Sequence, residues 1–349
     1  MLTATMLNES RGRKERRMEI KVERLMVHTR RAFTIARSSS DTFERVVLTL
    51  RERGIVGRGE AAPTSYYEQD AADAAAALER VEIKDPWDIE GVLEVNGSLP
   101  SAALSALDSA LHDLAAKRLG VPVYRLLGLA RPEPVSAYTL AIADPETTLR
   151  EAKRLSGFPI LKMKVGGEED IQTVRAVAGA SEATLWVDAN EAFSPEEAPE
   201  VARELAAVDS VRMIEQPVPA SAGPEALRAV TEAAEPVPVV ADESAVVARD
   251  VPRLAGCVTG VNVKLAKCGG LRRGLEVIHT ARAHGMLVML GCMVETSLGV
   301  AAAAQVSGLV DFVDLDGAML LADDPFVGLG YEKGCIQLPE SPGLGVEPL

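Results

Sequence analysis

The sequence predicts an α/β fold: a parallel βα barrel preceded by a smaller α+β module. Three observations predict it. First, successive apolar runs end in Lys164, Asp188, Glu215, Asp242, Lys264, Cys292 and Asp316, spaced 24, 27, 27, 22, 28 and 24 residues apart. One strand, loop and helix take about 30 residues of a barrel of ~250. Second, eight short β-rich runs alternate with helical segments from residue 135 onward, the signature of a parallel sheet with right-handed crossovers. Third, residues 18–128 follow another order, strands first and helices after. A polar side chain that always closes a β run falls at the same end of every strand, and that end carries the chemistry of barrel enzymes.

Residues 1–17, ending in "RGRKERR", have no apolar core of a signal peptide and are expected to be a disordered tail. Residues 18–60 read as a meander of strands, with "RERG" as a turn. Residues 68–81 are an Ala-rich helix. From 101 a second helix carries Leu104, Leu107, Leu111 and Leu114 as one apolar stripe, stopped by Gly120 and Pro122. The β runs of the barrel are "VSAYTLAI", "PILKMKV", "TLWVDAN", "VRMIEQP", "VPVVADES", "GVNVKLAK", "MLVMLGC" and "DFVDLD". Helical segments fall at 168–180, 194–207, 221–233, 271–284 and 296–307. The domain reading is therefore a module over 18–128, a barrel over 129–324, and a Gly- and Pro-rich segment over 325–349 that returns to the module.

Composition narrows the partners. A net charge of −14 argues against nucleic acid and anionic membranes, which call for basic patches. Aromatic residues, at 4%, offer no stacking platform for bases. No run of 18 apolar residues exists to span a bilayer. Four cysteines without a C-x-x-C pair suit a reducing cytoplasm. The expected partner is a small molecule.

Asp188, Glu215 and Asp242 end three successive strands, so their carboxylates are expected to converge. Unneutralised, they repel, and a hard divalent cation resolves the conflict. All-oxygen donors point to Mg²⁺ rather than zinc. Lys162 and Lys164 alternate on the preceding strand and share its inner face, and Lys264 lies on the strand after Asp242. Lysines on both flanks of a metal-bound carboxylate suit removal and return of the proton on the adjacent carbon. A Schiff-base lysine is the competing use, although it needs no three acids in register.

These motifs have a family likeness. "GRGEAAP" (57–63), "ALDSALHDLAAKRLGVPVYRLLG" (106–128), "KMK" (162–164), "VDAN" (187–190), "IEQP" (214–217), "ADES" (241–244) and "VKLAKCGG" (263–270) resemble the enolase superfamily, in its muconate-lactonizing-enzyme-like subgroup. The resemblance implies a (β/α)7β barrel with an α+β capping domain. It implies Asp188, Glu215 and Asp242 as Mg²⁺ ligands, Lys164 and Lys264 as the acid/base pair, and Lys162 as the residue that tunes Lys164. It also allows a homo-oligomer. The mandelate-racemase branch uses a histidine base after the seventh strand, where "MLGCMVETS" has none.

The subgroup includes muconate cycloisomerases, o-succinylbenzoate synthases, N-acylamino acid racemases and dipeptide epimerases. "DLDGAML" carries Asp314 and Asp316 on one face, a like-charge pair that calls for a cation. It resembles the D-x-D motif with which dipeptide epimerases hold the substrate ammonium, and so favours a dipeptide such as L-Ala-L-Glu, inverted at its C-terminal residue by 1,1-proton transfer. A non-catalytic barrel is disfavoured by the intact set of lysines and acids. Cys292, Met293 and Glu295 are expected to line the pocket, with Cys292 inert for want of a paired histidine. Thr139 is expected to hydrogen-bond the substrate backbone. In this subgroup the stretch 28–40, "HTRRAFTIARSSS", is a loop that closes over the substrate. Arg37 is a candidate there for pairing a substrate carboxylate, with Arg30 and Arg31 equally basic.

Overall fold

The computed structural model of the protein describes residues 18–349; the expectation of a disordered tail over 1–17 lies outside them. Three antiparallel strands open the chain, β1 (Glu19–Ile35), β2 (Ser38–Glu52) and β3 (Ile55–Ala61), in that spatial order. Four helices follow: α1 (Ala71–Leu78), α2 (Ile89–Val95), α3 (Ser101–Leu119) and the single turn α4 (Val123–Leu126). Gly120 ends α3 with a φ of 70°, a left-handed cap that costs glycine no Cβ clash.

The single apolar stripe expected of α3 understates its burial. Every residue from Ala102 to Ala116 is buried, including Asp108, His112 and Asp113. The helix is sandwiched between β3 and the barrel, and its alanines keep it thin enough for both. Gly57 and Gly59 permit the close approach, since a Cβ at either would strike the backbone of Ala110 or Ala106.

The barrel strands are β4 (Tyr138–Leu140), β5 (Ile160–Lys164), β6 (Thr184–Asp188), β7 (Val211–Glu215), β8 (Val239–Ala241), β9 (Gly260–Lys264), β10 (Leu287–Gly291) and β11 (Phe312–Asp314). They pair in sequence order, every pair parallel. The Ala137 N–H donates to the Val313 carbonyl at 3.0 Å and brings the two ends of the sheet together. The helices between the strands are α5 (Pro145–Arg154), α6 (Asp170–Ala178), α7 (Ala198–Ala206), α8 (Pro224–Ala234), α9 (Val251–Leu254), α10 (Leu265–Cys268), α11 (Leu271–Ala283), α12 (Ser297–Ala304) and α13 (Gly317–Leu320). Among the described residues none is long and apolar enough to cross a membrane.

Helix α5 has no counterpart in the sequence reading. It buries only Thr148 and Ala152, so it lacks an apolar stripe. Its start is nonetheless written locally: Asp144 accepts the Thr147 N–H and Pro145 occupies the first position.

Inside the barrel, alternation sorts the side chains into two levels. Ala137, Trp186, Met213, Val240 and Met289 form an apolar floor. One pleat further along, Lys164 pairs in register with Asp188, and Asp188 with Glu215. The C-terminal segment forms β12 (Phe326–Val327) with β15 (Glu347–Pro348), and β13 (Gly330–Glu332) with β14 (Cys335–Gln337). It is tied to α3 by the Leu344 N–H on Asp113 and by Glu347 on Lys117, and to β3 by Glu347 on Arg58. It meets the barrel entrance where Ser136 N–H donates to the Gly334 carbonyl.

Candidate active site

A cavity of about 670 Å³ opens at the C-terminal end of the barrel strands, roofed by the β1–β2 hairpin. Lys162 is its most buried cation, at 1% exposure. Its ammonium lies 2.9 Å from Asp188, 2.7 Å from Glu215 and 2.6 Å from Asp314. Lys164 reaches the same Asp188 oxygen at 2.5 Å. Lys264 lies 2.8 Å from Asp242. The structure therefore brings Lys162, Lys164, Lys264, Asp188, Glu215 and Asp242 into one polar layer. The acids are closed on lysines rather than on one another, and among the described residues no ready-made cluster of three metal-binding side chains is present. The reason is competition: an ammonium and a metal ion seek the same carboxylate oxygens.

Electrostatics follows from this pairing. Burial alone would raise the Asp188 carboxyl, but Lys162 and Lys164 outweigh it and hold it well below the usual carboxylate range. Lys264 and Lys267 do the same for Asp242. Burial, then the Asp188 charge, push Glu215 up to about 7. Its buried Oε2 has the Lys162 ammonium at 2.7 Å as its charge partner. Burial opposes the charges of Lys162 and Lys264, yet their acidic neighbours prevail and raise both above the ordinary lysine value.

Three residues that the sequence reading left without a role complete the layer. Lys267, at 1% exposure, donates to the Asp242 carboxylate and carbonyl at 2.7 Å and to the Asn262 carbonyl at 2.8 Å. Asn262 donates to Glu215 Oε1 at 2.7 Å. Gln216 accepts the Asp242 N–H at 2.8 Å. Asn262 was accessible to reasoning, because it lies two residues before Lys264 on one strand face. Lys267 sits in α10, and its inward direction depends on the turn after β9. Gly291 makes room here: a Cβ would lie 2.8 Å from the Asn262 amide and 3.1 Å from Lys264 Cε.

On the far wall Asp314 and Asp316 both face the cavity. Lys162 already pairs Asp314 Oδ2, while Oδ1 is buried without a partner. Asp316 accepts the Thr139 N–H at 2.6 Å and, among the described residues, has no ion-pair partner. Burial, then Asp314, push its carboxyl up to about 7. Thr139 thus lines the cavity but spends its N–H on Asp316. Cys292 and Met293 also line it. Glu295, expected beside them, instead turns back to accept the Met293 N–H. Burial, then Glu295, raise the Cys292 thiol well above its usual value and keep it protonated.

The 28–40 stretch is not a free loop. It is the tip of the β1–β2 hairpin, with a register shift between His28 and Phe33. Arg37 lies at the turn and borders the cavity, but its charge is committed: it reaches Glu243 at 2.6 Å and the Asn190 carbonyl at 3.1 Å, stacked on Tyr66. A substrate carboxylate at Arg37 would therefore have to compete with Glu243.

Two family models match the chain: the mandelate racemase/muconate lactonizing enzyme N-terminal domain over residues 18–128, and the enolase C-terminal domain-like model over 147–349. The chain is 36% identical to the L-Ala-D/L-Glu epimerase of Bacteroides thetaiotaomicron, over 91% of this chain and 84% of that one. It is also 36% identical to the L-Ala-D/L-amino acid epimerase of Pedosphaera parvula, over 92% and 96%. A crystal structure of a dipeptide epimerase from Enterococcus faecalis, complexed with Mg and L-Leu-L-Tyr, superposes with a TM-score of 0.88 at 30% identity, covering 94% of this chain and 98% of that one.

Proposed function

From the premise that the chain belongs to the muconate-lactonizing-enzyme-like subgroup of the enolase superfamily, we propose that it is a Mg²⁺-dependent dipeptide epimerase. It inverts the α-carbon of the C-terminal residue of L-Ala-L-Xaa dipeptides, with L-Ala-L-Glu among the candidates. The observation that carries the choice of substrate is the Asp314–Asp316 wall. One buried oxygen there has no partner and one buried carboxylate has no cation, an arrangement that an ammonium satisfies. Muconate has no ammonium to offer.

The donor set fits a hard cation. Asp188, Glu215 and Asp242 are buried carboxylates with oxygen donors only, drawn together around the lysines that now neutralise them. These three would hold Mg²⁺, which neutralises the charge that develops on the substrate carboxylate when the adjacent proton leaves. Lys164 and Lys264 then exchange that proton across the α-carbon. One removes it as a free amine, and the other, as an ammonium, returns a proton to the opposite face. Lys162 stays charged against three acids and fixes their positions. Lys267 and Asn262 orient Asp242 and Glu215. The four unpaired cysteines support a reducing cytoplasm as the compartment.

Incubating the protein with Mg²⁺ and a panel of L-Ala-L-Xaa dipeptides in D₂O tests the reading. Deuterium is expected at the α-carbon of the C-terminal residue, with formation of the L,D diastereomer. Turnover of an N-acylamino acid with no exchange on any dipeptide would replace the assignment with a sister racemase.

A further inference from the structure

A second cavity, of about 530 Å³, lies between the tip of β1 and the start of the barrel. It is bounded by β4, the loop that follows it, and α5. Phe33, Thr139 and Leu320 line both cavities. Thr139 is also the residue whose N–H holds Asp316. The two chambers therefore meet beside the carboxylate assigned to the substrate ammonium. The carbon that bears this ammonium also bears the N-terminal side chain, so that side chain starts at the shared wall.

The lining of the second chamber indicates what it takes. Its body is apolar, with Leu140, Ala141, Ile142 and Ala143 along one side. Its rim is cationic: Arg30, Arg31 and Arg154 against one acid, Glu151. Glu151 is already divided, with Arg31 at 2.5 Å and Arg154 at 2.9 Å. Among the described residues Arg30 has no ion-pair partner. This excess of positive charge stands against a chain whose net charge is −14.

Building on the dipeptide reading, we propose that this chamber lies open to N-terminal side chains longer than that of alanine and, among these, favours one with an apolar stem ending in a carboxylate, as in glutamyl dipeptides. Arg30 is the specificity-determining charge. It is exposed, so its attraction for a carboxylate is screened and amounts to a factor of up to about five. Attraction for one sign and repulsion of the other together make about tenfold between glutamyl and lysyl substrates.

The test compares kcat/KM, read as α-deuterium uptake, for dipeptides with one shared C-terminal residue and L-Ala, L-Gln, L-Glu or L-Lys at the N-terminus. Ratios are taken within each variant, so a general loss of activity cancels. For the wild type the order Glu, Gln, Lys is expected, with the Glu/Lys ratio near ten at low salt and shrinking toward one at 1 M salt. Arg30→Gln is expected to flatten the ratio and Arg30→Glu to invert it. A wild-type ratio near one, or a ratio that neither variant moves, overturns the inference while turnover of alanyl dipeptides leaves the epimerase reading intact. Absence of exchange on every dipeptide overturns both.

Discussion

Asp316 shows how burial changes an ordinary carboxylate. Among the described residues it has no ion-pair partner, and burial with Asp314 holds its carboxyl at about 7; under the proposed function its charge answers the substrate ammonium. It is ionised above that value, and a dipeptide amine is protonated below ~8. KM for a dipeptide is therefore expected to be lowest between about pH 7 and 8 and to rise on either side. Asp316→Asn is expected to raise KM by about 10-fold or more, the scale of a lost charge-assisted hydrogen bond, and to remove the acid limb of the KM profile. A KM that is unchanged and still climbs below pH 7 would place the ammonium elsewhere. Lys162 behaves in the opposite way. Three acids surround it and hold it charged, which in the proposed reaction suits a fixed counter-ion.

Helix α3 is the element on which the active-site end of the barrel leans. Helix α11 begins after Gly270, which has no side chain to cap it. Asp108 of α3 supplies the missing acceptor, taking the Arg272 N–H at 2.9 Å, and its other oxygen lies 2.9 Å from His112. Asp108→Ala would strip that buried N–H of its acceptor and the imidazole of its carboxylate, leaving His112 only the Asp108 carbonyl, a loss of about 1–3 kcal/mol. Thermal or denaturant melts are expected to show a lower midpoint, with Asp108→Asn milder. Burial opposes the His112 charge, but Asp108 prevails and raises its pKa above the ordinary value. A raised histidine stabilises fully below its unfolded value of about 6.5 and loses that contribution as pH climbs through the folded value. The gap between wild type and Asp108→Ala should thus be wider at pH 6 than at pH 9; an equal gap would remove the ion pair from the account.

For the molecule as a whole, cation binding and folding are linked. Three buried acids that now share lysines gain a partner when Mg²⁺ binds the folded chain alone. Stability should rise by about 2.7 kcal/mol at one hundred times the dissociation constant. Differential scanning calorimetry with increasing Mg²⁺ measures this, and exhaustive chelation should abolish α-proton exchange. A melting temperature indifferent to Mg²⁺, with full exchange after chelation, would remove the cation from the reaction. The eight strands, their order and the polar or reactive stops that close the last seven were legible in the sequence, because alternation and spacing are properties of the chain itself. Helix α5 was not, for beyond Pro145 it is polar throughout apart from Leu149 and Ala152, too few to mark a stripe, and neither was the all-round burial of α3, which depends on a neighbour on each side. The sequence by itself determined which residues stand at the mouth of the barrel: Lys162, Lys164, Asp188, Glu215, Asp242, Lys264, Asp314 and Asp316. Only the tertiary structure decided how they share charge. It gave Lys162 to three acids, brought Lys267 and Asn262 in behind them, tied Arg37 to Glu243, and among the described residues left Asp316 without a cation. Periodicity sets the direction of a side chain along its own element, whereas pairing depends on distances across the fold, to which spacing along the chain is blind.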